Sequence, residues 1–261
     1  MPVPRRPYAF FALTLALAVP FWIAGGVSGV MLLPGLPLAG LMAVCPGLAA
    51  LILVWRDEGR PGARAFLARM FDGRRIRRLA WLAPVLLLAP AQQALAFFVQ
   101  RATGAPVPAP QIALAPALAL AGFFMIGAWA EELGWSGYAI DPLQDRHGAL
   151  KGALVVGAVW ALFHFVALVQ AQRGLAWIAW WSLGTLAARV VMVWLYDNTG
   201  RSVLAVSLFH MSQNLAWQLY PVQGSYFDPQ VSGLIAAAFA AVVIVLWRPP
   251  APPLRGRRPI T

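Results

Sequence analysis

Eight apolar stretches of about 20 residues follow one another along this chain, parted by short polar segments. A stretch of that length spans the roughly 30 Å hydrocarbon core of a bilayer when helical. Lipid offers no partner for a bare backbone N–H, so only helices and closed barrels cross it. These runs are continuously apolar rather than alternating, which selects helices. They cover Tyr8–Val27, Leu38–Trp55, Leu79–Val99, a run from near Ile112 past Glu131, Leu150–Ala171, Ala176–Tyr196, Val203–Tyr220 and Val231–Trp247. Charged residues make up 11% of the chain, against about 25% in soluble domains. The expected fold is an all-α, polytopic membrane helical bundle of about eight transmembrane helices. Residues 1–247 form one integral membrane domain. Residues 248–261, rich in Pro and Arg with no core to join, read as a disordered cytoplasmic tail. The first run follows Arg5 and Arg6 as a signal peptide would, but Pro20, Trp22 and its length favour a retained span.

The net charge of +11 would suit nucleic acid if the basic residues formed one patch. They sit instead at the ends of the apolar runs, where membrane topology demands them. With both termini inside, 17 Lys and Arg fall on the cytoplasmic side and two, Arg101 and Arg173, outside, while Arg189 lies within the sixth run. The expected location is the cell (inner) membrane, multi-pass, with the bilayer as partner and no nucleic acid. Within the arginine-rich segment Arg56–Arg78, Ala65, Phe66, Arg69 and Met70 share a helical spacing, so Ala63–Phe71 reads as a short interfacial helix. The one cysteine, Cys45, rules out an internal disulfide and a thiolate metal cluster. It reads as a small core residue.

Against this background a few polar residues stand out. Glu131 and Glu132 are adjacent carboxylates within the fourth run, His164 lies in the fifth, and His210 and Asn214 in the seventh. One charge at mid-bilayer costs about 2.5–3.5 kcal/mol on insertion scales, so two together call for a function. At about 1.5 Å per residue, Glu131 and His210 lie about 14 Å from the inner helix ends and His164 about 20 Å. All fall in the middle third of the bilayer, where they can meet. His210 and Asn214, four residues apart, share one helix face. Glu131 and Glu132 are about 100° apart, so one faces a shared cavity and the other needs a separate partner. Trp160, Phe163 and Trp217 flank these positions and read as packing.

The set resembles the CPBP family of intramembrane proteases, which includes type II CAAX prenyl endopeptidases and bacteriocin-immunity (Abi) proteins. Its motifs are matched by Glu131-Glu132-Leu-Gly-Trp-Ser136, Trp160-Ala-Leu-Phe-His164 and His210-Met-Ser-Gln-Asn214, within a core of about residues 123–217. Ser136 stands where the family carries Arg. Glu132 thus lacks a local cation, and Arg189 in the sixth run is the candidate to supply one.

The resemblance implies an intramembrane endopeptidase cutting near the cytoplasmic membrane face, on a peptide or protein substrate, lipidated or not. It implies water held between Glu131 and His164, with Glu131 as general base and His210 and Asn214 donating to the oxyanion. Glu132 and Arg189 are supporting residues. Two His and a carboxylate, namely Glu131, His164 and His210, also make an acceptable zinc set with water in the fourth position. A metalloprotease and a metal-free, glutamate-activated protease both stay open. Two other functions stay open as well. One is a non-catalytic immunity or interaction protein, favoured by Ser136. The other is a proton-coupled transporter, since intramembrane Glu and His also serve proton relays.

Overall fold

The computed structural model describes residues 5–247; the expected tail at 248–261 lies outside them. The chain begins with α1 (Pro7–Ser28), a two-stranded hairpin of β1 (Met31–Leu33) and β2 (Leu36–Pro37), and a 3₁₀ turn, Leu38–Val44, leading into α2 (Cys45–Leu67). Then come α3 (Leu82–Ala102), α4 (Leu114–Gly134), a π-helical turn at Trp135–Ile140 and the short α5 (Asp141–His147). The bundle closes with α6 (Ala149–Gln170), α7 (Leu175–Asn198), α8 (Val203–Leu219) and α9 (Pro229–Leu246). Among the described residues, seven helices are long and apolar enough to cross a membrane. The eighth, α8, has 17 residues, still within the range of about 17–25 that spans a bilayer. The protein is a polytopic, multi-pass membrane bundle.

The helix ends sort into two groups. At one end the Arg6 guanidinium donates to Asp57 at 2.6 Å, and Tyr8 Oη meets His147 Nε2 at 3.1 Å. Arg69 donates to the Gly137 carbonyl at 2.7 Å and to Tyr196 Oη at 2.8 Å. This end gathers the arginine-bearing segments. At the other end the Gln111 N–H donates to the Pro221 carbonyl at 2.9 Å, and Trp177 packs 5.9 Å from Phe227. The hairpin and the α6–α7 turn lie there too, with Gly35 beside Arg173 and Trp217.

Two local devices position the helices that carry the polar residues. Gly47 of α2 and Gly134 of α4 face each other's backbone. A Cβ on Gly47 would sit 2.6 Å from the Ala130 carbonyl oxygen, and one on Gly134 would sit 2.5 Å from that of Pro46. Only glycine permits so close a crossing. The N-terminus of α8 is capped twice over. Ser202 Oγ accepts from the Ala205 N–H at 3.1 Å and donates to Asp72 at 2.7 Å. Asp72 also accepts from the N–H groups of Val203 and Leu204 at 3.2 and 3.1 Å.

The expected short helix at Ala63–Phe71 is helical throughout and begins a few residues earlier. α2 breaks at Gly59, whose φ of 66° lies in the left-handed region, and resumes to Leu67 before a 3₁₀ turn at Ala68–Phe71. Pro61 suits the restart, having no N–H to leave unsatisfied. The segment also does more than lie on the surface: Phe66 is buried in the core, and Arg69 laces three elements together. Cys45 is buried and free.

Candidate active site

Glu131 and Glu132 sit in the last turn of α4, just ahead of the π-helical turn, and both are buried. Their side chains diverge, as a separation of about 100° requires. Glu132 turns to α7, where Arg189 grips it with two parallel bonds, Nη1 to Oε2 at 2.8 Å and Nη2 to Oε1 at 3.0 Å. Ser136 Oγ, one turn on, also donates to Glu132 Oε2. Arg189 is itself fully buried, its Cζ 4.3 Å from the Trp160 ring centroid. His210 Nδ1 lies 3.0 Å from Glu132 Oε1. An ionised carboxylate only accepts, so Nδ1 carries the proton and Nε2 is left with its lone pair.

Glu131 turns the other way. Its Oε2 accepts from two indole N–H groups, Trp160 at 2.7 Å and Trp135 at 3.1 Å. Its Oε1 is 4.0 Å from His210 Nε2. Trp135 reaches Glu131 from four residues further along the chain, and Trp160 reaches it from α6. On α6, His164 Nδ1 lies 2.9 Å from the Trp160 carbonyl. A carbonyl accepts, so Nδ1 donates and Nε2 is again free.

Glu131, His164, His210 and Asn214 all line one cavity of about 490 Å³. Glu132 and Arg189 are not in its wall; they brace His210 from behind. Trp160, first read as packing, is more than that. Trp160, at the cavity wall, and Trp135, wholly buried, fix the carboxylate that faces the cavity. Trp135's position one turn after Glu131 was the signal for it.

Residues 113–216 match the type II CAAX prenyl endopeptidase Rce1-like family. The matched segment holds Glu131, His164, His210 and Asn214. The chain is also similar to CAAX prenyl protease 2 of Methanococcus maripaludis, 26% identical over 259 residues that span 89% of this chain and 92% of that protein. The departure at position 136 from the motif this chain resembles has a structural counterpart. The Arg absent at position 136 is replaced in space by Arg189 from α7. Ser136 keeps a hydrogen bond to the same carboxylate.

The cavity runs from the polar cluster toward the end away from the arginine-bearing loops. Its inner wall is Glu131, Trp160 and His210. Its outer rim is Gly35, Arg173, Trp177, Trp217 and Phe227, all at the end away from the arginine-bearing loops. Phe123, Ile126 and Leu41 line the cavity and are also exposed on the outside of the bundle. The buried turn Trp135–Ile140 lies beneath the glutamates on the side of the arginine-bearing loops.

The free Nε2 atoms of His164 and His210 are in the state a metal ligand needs. Among the described residues, however, no three His, Cys, Asp or Glu side chains are grouped closely enough to hold an ion.

Proposed function

We propose that the protein is an intramembrane endopeptidase in which Glu131 activates water for attack on a peptide carbonyl. The observation that carries this reading is the fixing of Oε2 by two indole donors, which leaves Oε1 toward the cavity and the His210 imidazole. Oε1 takes a proton from water as its oxygen bonds to the carbonyl carbon. The Glu131 proton then passes to the leaving nitrogen as the C–N bond breaks. Asn214 is the neutral donor for the oxyanion, a contribution of about 3–4 kcal/mol where aim is good.

His210 holds a different role from the one first expected. In its neutral form Nδ1–H is committed to Glu132, so Nε2 accepts. It aligns the water beside Glu131, and it becomes an oxyanion donor only once protonated. His164 presents a second acceptor nitrogen on the opposite wall and helps orient the same water. Glu132 and Arg189 fix the His210 ring from outside the cavity.

The Ser136 replacement fits an active site, because the motif cation is supplied from α7. With the arginine-bearing end taken as cytoplasmic, the substrate reaches Glu131 from the opposite leaflet or from the lipid. The test is Glu131→Gln, which keeps shape and removes the base. Turnover of a membrane peptide substrate should vanish while thermal stability in detergent is kept. Undiminished turnover would refute the assignment.

A further inference from the structure

The cavity wall carries polar side chains that the cleavage step does not use. On α8, His210, Gln213, Asn214 and Trp217 all line the cavity, and their spacing puts them on one helix face. On α3, Gln92 and Gln93 line it too. Those two show what glutamine commonly does inside a bilayer, which is to tie helices together. Gln92 Nε2 donates to the Ser232 carbonyl of α9 at 3.3 Å, and Gln93 Oε1 accepts from Ser232 Oγ at 3.4 Å. Gln213 ties nothing. Its carbonyl oxygen is buried and has no hydrogen-bond partner among the described residues. A buried acceptor without a donor is penalised, so a cavity-lining residue in that state is one whose partner comes with the ligand.

We propose that Gln213 accepts a hydrogen bond from a backbone N–H of the bound peptide beside the scissile bond, so that the cavity recognises an extended main chain. This rests on the peptidase reading and deepens it. Gln213 lies about 4.5 Å further along α8 than His210. An extended peptide advances about 3.3–3.6 Å per residue, so the N–H that Gln213 meets belongs to a peptide unit next to the one attacked. The last torsion of a glutamine is soft, and rotation about it carries Oε1 toward the cavity that the side chain lines. Gln93 engages only its oxygen with Ser232, which leaves its N–H groups for a main-chain carbonyl. The unpaired acceptor on Gln213 sets the class of ligand. The ester and phosphate oxygens of a phosphatidylcholine only accept, so that lipid can satisfy Gln93 but not Gln213 Oε1. Each peptide unit brings both a donor and an acceptor.

The test is binding rather than turnover. N-acetyl-tetra-leucine amide, and the same peptide with each internal N–H replaced in turn by an ester oxygen, are titrated into the full-length protein in phosphatidylcholine nanodiscs and followed by tryptophan fluorescence. One ester should bind about fivefold or more weakly than the parent, the margin of a single hydrogen bond. Gln213→Met, unbranched and of similar length but without the amide, should remove that margin by weakening the parent alone. Gln93→Met, which takes away a donor instead, should leave the margin in place. Gln213→Met should also melt no lower than the unsubstituted protein, because no protein donor is lost with Oε1. Equal binding of the parent and every ester overturns the proposal, as does absence of binding or a margin that survives Gln213→Met. A margin that vanishes equally in Gln93→Met, or a lower melting temperature in Gln213→Met, makes Gln213 a structural residue and overturns it too. Because no cleavage is measured, failure of Glu131 as a base leaves this result readable.

Discussion

Arg189 on α7 and Glu132 on α4 meet through two parallel hydrogen bonds of 2.8 and 3.0 Å, with neither side chain exposed to solvent. Two charges are brought into a medium that penalises each of them, and each is tolerated because the other is there. Breaking such a pair by removing one partner strands a buried charge and costs about 3–5 kcal/mol. Arg189→Ala should therefore lower thermal stability sharply. Arg189→Lys should rescue it only in part, because an ammonium cannot reproduce the two-pronged contact.

The same pair reverses an expectation about Ser136. Read from the sequence, a rise in activity on Ser136→Arg would mark a site that had lost its motif cation. In the fold, Arg189 already occupies that role, and a second guanidinium beside it would be a like charge without a partner. Ser136→Arg alone should reduce stability and turnover. Combined with Arg189→Gln it should recover much of both, since one cation is again matched to one carboxylate. Melting temperature and turnover of the two variants, measured side by side, check this.

Much of this was legible in the apolar runs and in the few polar residues that interrupt them. Helical rise placed Glu131, His164 and His210 at one level, and helical angle told that the two glutamates would part. What escaped was aim. Nothing in a sequence separates a tryptophan that packs from one whose N–H reaches a carboxylate, so Trp160 passed as packing. The break at Gly59 was also hidden, because a glycine in a polar stretch reads equally as helix or turn. The side on which the cavity opens depends on how the Trp135–Ile140 turn plugs one end, a property of packing between distant segments.

Trp160→Phe tests the indole clamp. The ring keeps its place over Arg189 and beside His210, but Glu131 Oε2 loses its shorter donor bond, 2.7 Å. A hydrogen bond to a charged group is worth about 1.5–3 kcal/mol, so kcat should fall by about tenfold or more. KM should change little, because the clamp holds the base rather than the peptide. A change confined to KM would assign Trp160 to substrate binding.

Zinc and water make different demands on the same side chains. If Glu131 activates the water without a metal, activity survives exhaustive chelation with a strong zinc chelator, and added zinc does not raise it. Loss of activity on chelation, restored by zinc, would show that Glu131, His164 and His210 draw together around an ion.

The cavity mouth and the basic loops lie at opposite ends, so the side on which the enzyme works follows from which end is cytoplasmic. The strong bias of Lys and Arg toward one end points that end inward, and the mouth beside Arg173 then faces outward. Single cysteines decide it in a Cys45→Ala background, where the buried native thiol is gone. Gly174 is a suitable site at the mouth, exposed and with open space around a new Cβ, and Asp145 is exposed at the basic end. In intact cells a membrane-impermeant maleimide should label Gly174→Cys at once, and Asp145→Cys only after the membrane is opened. The reverse pattern would place the arginine-bearing end outside and return the site of cleavage to the cytoplasmic face. The outcome decides which peptides can be substrates, because a cavity closed at one end by Trp135–Ile140 receives them only from the other end or from the lipid.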